Sequence, residues 1–164
     1  MFRDNELILA TAHSPSTSTA TAAVNLSTNV WDSGPLGQLG GAVGGTNLIR
    51  DLGTGQQLYL HVLCTVAALS ATSTGTIEFR LITDSVAGMT TSPTTMASTG
   101  ALGTATQTIG VETIVAIPPG AFEEFVGVSA FIVGVALTAG TWAYWIDTSI
   151  QSNRAYAGGF NLDV

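Results

Sequence analysis

Apolar and polar residues alternate in short runs along this chain, and Gly, Pro, Asn or Ser separates the runs. In the clearest run, Ile77, Phe79 and Leu81 occupy one side of the alternation. Glu78 and Arg80 occupy the other side. A period of two predicts a β-strand with one buried face. Because Glu78 and Arg80 share the opposite face, we expect them to form an ion pair.

No window of the sequence keeps a helical period, so we predict an all-β protein. The predicted strands cover residues 6–12, 22–31, 57–69, 76–83, 96–99, 104–109, 111–117, 125–135 and 141–150. The last two are expected to form a hairpin around a turn at residues 137–140. The pattern favours a single-domain jelly-roll sandwich of about eight antiparallel strands with extended terminal arms.

The jelly-roll domain is predicted to span residues 1–150, a length ample for one core. A Gly-rich stretch at residues 33–46 has little to bury and is predicted to be a long surface loop. Residues 151–164 are rich in Asn and Gly with spaced aromatics, so they are predicted to form an extended C-terminal arm.

The last two predicted strands are apolar on both faces. Residues 125–135 have hydrophobic side chains at both even and odd positions, and in the next strand Trp142 and Tyr144 oppose Ala143 and Trp145. An antiparallel sandwich usually leaves one face of each strand polar. We therefore expect the outer face to be buried against another chain, although a central position within a sheet explains the pattern equally well.

Composition adds to this expectation. Only 9% of the residues are charged and none is lysine, whereas 46% are hydrophobic. A typical soluble domain has about 25% charged residues, so much of this surface is expected to lie against other proteins or in lipid. Residues 125–146 are uncharged and long enough to cross a bilayer, at about 20 residues. Turn residues inside this segment and acids at both ends favour two strands instead, so no membrane contact is expected.

The charges also exclude one class of partner. The net charge is −7, and the cations are isolated arginines: Arg3, Arg50, Arg80 and Arg154. Nucleic acid requires a cluster of cations to displace counterions from phosphates, so nucleic-acid binding is not expected. Cys64 is the single cysteine, which leaves no internal disulfide. Acids near the N-terminus oppose a secretory signal peptide.

The sequence offers no convincing catalytic or cofactor site. His61 and Cys64 stand three residues apart, so on a strand they point to opposite faces and cannot act as base and nucleophile. A buried structural cysteine is favoured. The glutamates at 123–124 with Asp147 or Asp84 are candidates for a calcium site, but without a calcium-loop motif solvated charges are favoured. We therefore expect no enzyme activity, no metal and no cofactor.

Several motifs follow one another in a distinctive order. They are STNVWD at residues 27–32, DLGTGQQLY at residues 51–59, SPTT at residues 92–95 and PPG at residues 118–120. Their order and spacing resemble the capsid cement (decoration) proteins of tailed bacteriophages, the Bordetella-phage cement protein family. DNEL at residues 4–7 and AGT at residues 139–141 also fit, so the resemblance runs nearly end to end. The chain departs from the family pattern in the Gly-rich insertion and in the tail.

The resemblance implies a non-enzymatic virion protein, made in the host cytoplasm, that sits on the capsid exterior. It implies a homodimer or homotrimer that clamps neighbouring subunits of the major capsid protein and so stabilises the shell. Extended arms that pair with a neighbour's sheet edge are a common mode of attachment. The predicted capsid or oligomer contacts are Met1, Phe2, Arg3, Leu7, Leu36, Leu39, Trp142, Tyr144, Arg154, Tyr156 and Phe160.

Glycan binding is the alternative hypothesis, for a virion module that adheres to the host surface. Jelly rolls also serve as lectins, and exposed aromatic faces stack on sugar rings. The candidate rings are Trp31, Trp142, Tyr144 and Trp145. This hypothesis requires the rings to be exposed, whereas burial favours a role in packing.

Overall fold

The computed structural model describes residues 7–15, 25–32, 51–52, 57–70, 75–148 and 150. Within them the chain forms β1 (Ile8–His13), β2 (Trp31–Asp32), β3 (Asp51–Leu52), β4 (Leu58–Ser70), β5 (Thr76–Asp84), β6 (Thr94–Ser98), β7 (Leu102–Gly103), β8 (Glu112–Ile117), β9 (Gly120–Ala121), β10 (Phe125–Val133) and β11 (Leu137–Asp147). A short 3-10 turn covers Thr104–Thr106. No helix among the described residues is long and apolar enough to cross a membrane.

Two antiparallel sheets face each other. The front sheet has the order β1-β11-β4-β8, and the back sheet has the order β2-β10-β5-β6 with β7 beside β5. β3 and β9 form a separate two-stranded ribbon. Successive strands β1, β2, β4 and β5 alternate between the sheets, and so do β6, β8, β10 and β11. This alternation between a four-stranded and a five-stranded sheet confirms the predicted jelly-roll sandwich.

The core lies between the sheets and uses alternate residues of the facing strands. Ile77, Phe79 and Leu81 of β5 are fully buried, as their alternation predicts. The Phe79 ring reaches across to the front sheet, where its centroid lies 5.3 Å from that of Trp142 and 5.5 Å from that of Tyr144. Tilted aromatic packing of this kind links the two sheets at the centre of the molecule.

The predicted hairpin of the last two strands is wrong. β10 pairs with β5 in the back sheet, whereas β11 pairs with β4 in the front sheet. The chain crosses between the sheets through residues 134–136, and the predicted turn at residues 137–140 is the first part of β11. Gly140 has a φ of +137°, and a Cβ there would lie 2.6 Å from Cη2 of Trp142. This glycine permits the close approach of a core ring rather than a turn.

The predicted strand at residues 104–109 is also wrong. Thr104 Oγ1 donates a hydrogen bond to Gly75 O at 3.1 Å, and Gln107 N donates to Thr104 O at 3.1 Å. The Gln107–Thr104 bond closes the 3-10 turn, and the long-range bond from the Thr104 hydroxyl ties the turn to Gly75, just before β5.

The predicted strand at residues 22–31 is reduced to two short pieces. Leu26 forms an isolated bridge with Ser129 of β10, and β2 follows at Trp31–Asp32. Residues 22–24 lie outside the described chain. The described part still follows the edge of the back sheet, because Ser27 N donates to Val128 O at 2.7 Å.

The chain itself covers much of the outer face of the back sheet. Leu26 and Met89 close over Gly127, where a Cβ would lie 3.2 Å from Leu26 Cδ1 and 3.4 Å from Met89 Cε. Farther along β10, the guanidinium carbon of Arg80 lies 4.0 Å from the centroid of the Phe131 ring. These outward-facing positions of β10 are therefore covered within one chain, without requiring a second one.

Candidate functional site at the ends of the sandwich

The sandwich has two ends of different composition. We call the apex the end where β4 joins β5, β7 joins β8 and β10 joins β11. Hydrogen bonds link these connections: Thr104 N to Gly75 O (3.0 Å), Ala68 N to Gln107 O (2.9 Å) and Thr138 Oγ1 to Leu69 O (3.3 Å). The base is the opposite end, where β5 joins β6, β8 joins β10, and β11 ends.

The apex carries no charged residue among those described. The sequence has no Asp, Glu, Lys or Arg in residues 52–77, 85–111 or 125–146, which contain all three connections. Four large apolar side chains are nevertheless exposed there: Val66 (46%), Leu69 (58%), Ile109 (71%) and Val133 (63%). Val66 and Leu69 lie on β4 of the front sheet and Val133 lies on β10 of the back sheet, so these exposed side chains are spread over both sheets.

Acidic residues gather at the base. Six of the eight acids among the described residues lie at this end: Asp32, Asp51, Asp84, Glu123, Glu124 and Asp147. Asp32 and Asp84 flank the start of β10, since both are register partners of Phe125. The other described acids are Glu78 and Glu112, which lie in the body of the sandwich. The acids are spread along the sequence, and the topology places six of them at the same end of the sandwich.

Asp84 organises the β5–β6 loop at the base. Its Oδ1 accepts a hydrogen bond from Ser85 N at 2.7 Å, and its Oδ2 accepts from Thr91 N at 3.0 Å and Ser92 N at 3.4 Å. Burial opposes ionisation of this carboxyl, but the backbone donors outweigh it and lower its pKa below the ordinary 3.8. Both carboxylate oxygens therefore accept hydrogen bonds from backbone N–H groups of the loop. The described residues contain no group of three or more His, Cys, Asp or Glu placed to hold a metal ion.

His61 and Cys64 lie on opposite faces of β4, as predicted. Cys64 is in the core, where burial raises the pKa of its thiol and Sγ donates to Val66 O at 3.2 Å. A buried, protonated thiol is unreactive, which fits the structural role predicted for it. His61 Nδ1 lies 2.8 Å from Glu112 Oε1, and its ring stacks on Trp145 at a centroid distance of 5.1 Å. The sequence did not reveal this pair, because only the register of β4 with β8 brings it together.

The predicted ion pair of β5 is present. Arg80 donates from Nε to Glu78 Oε1 and from Nη2 to Glu78 Oε2, both at 2.8 Å. Ser98 Oγ donates to the same carboxylate at 2.6 Å. The hydrogen bonds from Arg80 lower the pKa of Glu78. The Glu78 carboxylate and the Arg80 guanidinium therefore both have hydrogen-bond partners within the chain.

Two of the predicted contact residues lie in the core and not at the surface. Trp142 and Tyr144 are both 0% exposed, because the even-numbered positions of β11 face the back sheet, so neither is accessible to a partner. Tyr144 OH lies 3.0 Å from His13 Nδ1. Leu7 packs, partly buried, against the core. The other predicted contacts lie outside the described residues: Met1, Phe2, Arg3, Leu36, Leu39, Arg154, Tyr156 and Phe160.

The same burial removes the basis of the glycan hypothesis. That hypothesis requires exposed aromatic faces, but Trp31 is 8% exposed and Trp145 is 1% exposed. With Trp142 and Tyr144 in the core, none of the four candidate rings offers a face on which a sugar can stack.

The fold and surface define an all-β jelly-roll domain, a type that occurs in viral capsid and lectin domains. The sequence model of the Bbp16 family matches residues 15–146, from before β2 almost to the end of β11. The chain belongs to this family of Bordetella phage proteins, which confirms the resemblance found in the sequence. It is a virion-associated phage structural protein. No curated protein matches the chain.

Proposed function

We propose that the protein binds the outside of a bacteriophage capsid, bridges neighbouring subunits of the major capsid protein and so stabilises the shell. It acts as a homodimer or homotrimer. The mechanism is mechanical: bridging adjacent subunits raises the free energy needed to separate them, and no covalent bond is made or broken. Its partners are the major capsid protein and further copies of itself, with no nucleic acid and no membrane.

The main support for this proposal is the position at which the predicted contact segments leave the domain. The described residues beside all three segments are at the base: Leu7 before β1, Asp32 and Asp51 around the Gly-rich loop, and Asp147 before the C-terminal arm. One end of the domain is therefore the origin of three segments, which supports simultaneous contact with more than one capsid subunit. Several linked contacts raise overall affinity although each is weak.

The composition supports the same proposal. A protein that holds a pressurised shell together needs large interfaces, of about 2,000 Å² or more. With 9% charged residues, this chain has few side chains whose charges would have to be desolvated in such a contact. A large part of its surface can therefore be covered at low electrostatic cost.

The test removes the C-terminal arm. We expect a chain lacking residues 151–164 to fold and oligomerise as the full chain does but to be retained poorly on purified empty phage heads in co-sedimentation. A chain with the same fourteen residues in scrambled order is the matched control for length and composition, and it should also be lost from the heads. Unchanged retention of the truncated chain would refute a contact role for the arm.

A further inference from the structure

We propose that two copies of this chain associate through the outer edge of β8, which pairs antiparallel with the same strand of the second copy across a two-fold axis at Ile114. The inference rests on the self-association in the proposed function and deepens it, because it assigns that association to one strand and to a dimer. The pairing would join two four-stranded front sheets into one continuous sheet.

β8 is the most regular sheet edge among the described strands. It ends the front sheet, and it pairs with β4 over six residues without a register shift. Its sequence, ETIVAI, contains no proline, lysine or arginine. Edge strands usually avoid pairing with another chain through charged side chains, prolines or bulges. The one charged residue of β8 is Glu112, and its carboxylate contacts His61 Nδ1 of the neighbouring strand at 2.8 Å rather than projecting from the edge.

The other described edges have such protection. β1 has register shifts against β11, and Asn29 N donates to Leu9 O of β1 at 2.8 Å, so another part of the chain covers this edge. β6 has a register shift against β5 and directly follows Pro93. β2, β3, β7 and β9 are each two residues long. β8 therefore offers the longest uninterrupted edge in the part of the chain that the structure describes.

The register shows which backbone groups of β8 point away from β4. Cys64 N donates to Val111 O at 2.8 Å, so these two residues form a hydrogen-bonded pair just before β8 begins. Such pairs alternate with pairs that are not hydrogen-bonded, so every second residue of β8 turns its N–H and C=O towards β4. The residues whose N–H and C=O point outward are Glu112, Ile114 and Ala116.

These three residues are spaced symmetrically about Ile114, which favours a second copy as the occupant of the edge. A two-fold axis at Ile114 places this residue opposite itself and Glu112 opposite Ala116 of the second copy. Each pair then exchanges two hydrogen bonds, so the outward backbone groups of both strands are satisfied together. The two Glu112 residues lie four positions apart along the ladder, roughly 14 Å. That distance exceeds the screening length of about 8 Å in physiological salt, so the pairing brings no like charges together.

Cysteine cross-linking tests the register. Ile114→Cys places two cysteines in one hydrogen-bonded pair, with Cα atoms about 5.5 Å apart, a separation that a disulfide can span. Ala116→Cys is the matched control, because in this register its two copies lie roughly 14 Å apart, although Ala116 is the more exposed residue. The native Cys64 is buried in both variants. Under mild oxidation we expect covalent dimers of Ile114→Cys but not of Ala116→Cys on non-reducing gel electrophoresis.

A pair of proline variants tests the hydrogen bonds. Ile114→Pro removes an N–H that points away from β4, and edge strands tolerate proline at such positions. Thr113→Pro is the control for the fold, because it removes an N–H that faces β4 and should lower the Tm. We expect Ile114→Pro to remain folded and to raise the dissociation constant of the dimer about 30-fold or more, or about 2 kcal/mol, for the two hydrogen bonds lost. Size-exclusion chromatography with light scattering over a dilution series measures this change.

Four results would overturn the inference: a native chain that is never a dimer, no cross-linking of Ile114→Cys, equal cross-linking of Ala116→Cys, or native dissociation of Ile114→Pro. Cross-linking decides the question even if the proline variant does not fold. Loss of the dimer on removal of residues 151–164 would also overturn it, because an arm rather than β8 would then occupy the edge.

Co-sedimentation with empty phage heads separates this inference from the proposed function. A native monomer that is retained on heads contradicts only the inference, whereas a dimer cross-linked at position 114 that ignores heads contradicts only capsid binding. If Ile114→Pro keeps the native mass but leaves the heads, the shell and not a second copy pairs with β8, and the inference is wrong.

Discussion

Substitution of Gly140 by alanine tests the packing of the sandwich most sharply. Gly140 has a φ of +137°, and an added Cβ would lie 2.6 Å from Cη2 and 2.9 Å from Cζ3 of Trp142, and 3.2 Å from Ala68 Cα. Trp142 is fully buried between the sheets, so its ring has no open space into which it can move.

The expected loss combines two effects. A non-glycine residue in a strained backbone conformation costs about 1 to 3 kcal/mol, and overpacking a filled core costs about 1 to 3 kcal/mol more. We therefore expect Gly140→Ala to lower the free energy of unfolding by about 4 kcal/mol. Gly110→Ala is the matched control, because Gly110 has a φ of +85° and nothing lies within 4 Å of an added Cβ. Its loss should be backbone strain alone, about 1 to 2 kcal/mol.

Equilibrium unfolding in denaturant, followed by tryptophan fluorescence, measures both losses at the same protein concentration. The difference between the variants isolates the contact with the Trp142 ring. Equal losses for Gly140→Ala and Gly110→Ala would contradict the position of Trp142 in the core and, with it, the placement of residues 137–140 inside β11.

Three further predictions concern the buried tryptophans and the partly buried His13. Trp142→Ala should lower the free energy of unfolding by about 3 to 5 kcal/mol; Trp142→Phe should lose much less, because Trp142 Nε1 has no hydrogen-bond partner to lose. Native tryptophan emission should be blue-shifted and insensitive to added sugars. A shift of the emission maximum on addition of sugar would instead support the glycan hypothesis. Burial lowers the pKa of His13 below 6.5, so the unfolded chain binds a proton more readily and stability should fall as the pH drops through about 6.5 towards the folded pKa. The decrease in Tm between about pH 7 and about pH 5 should be smaller in His13→Gln, and an unchanged decrease would contradict this role.

Much of the fold was predictable from the sequence because burial follows the alternation of apolar residues. β5 is the clearest example, since the alternation of Ile77, Phe79 and Leu81 predicted both the strand and its inner face. The connection after β10 was not predictable in the same way. Gly140 resembles a turn residue in sequence, but its role depends on a ring that packs against it only in the folded sandwich.

The two ends of the molecule were not predictable from spacing along the chain. Asp32, Asp84 and Asp147 are far apart in sequence and lie at the same end of the sandwich only because their strands run antiparallel in particular sheets. The inner face of β11 was ambiguous for a similar reason. Both of its sides are apolar, and only pairing with β4 and packing against Phe79 assign Trp142 to the core.

The most direct test of the account is saturable binding of the purified full chain to empty phage heads that lack it. We expect the protein to co-sediment with the heads at a fixed ratio to the major capsid protein and to raise the temperature at which the heads fall apart. Protein that remains in the supernatant at every concentration, with no change in head stability, would contradict it.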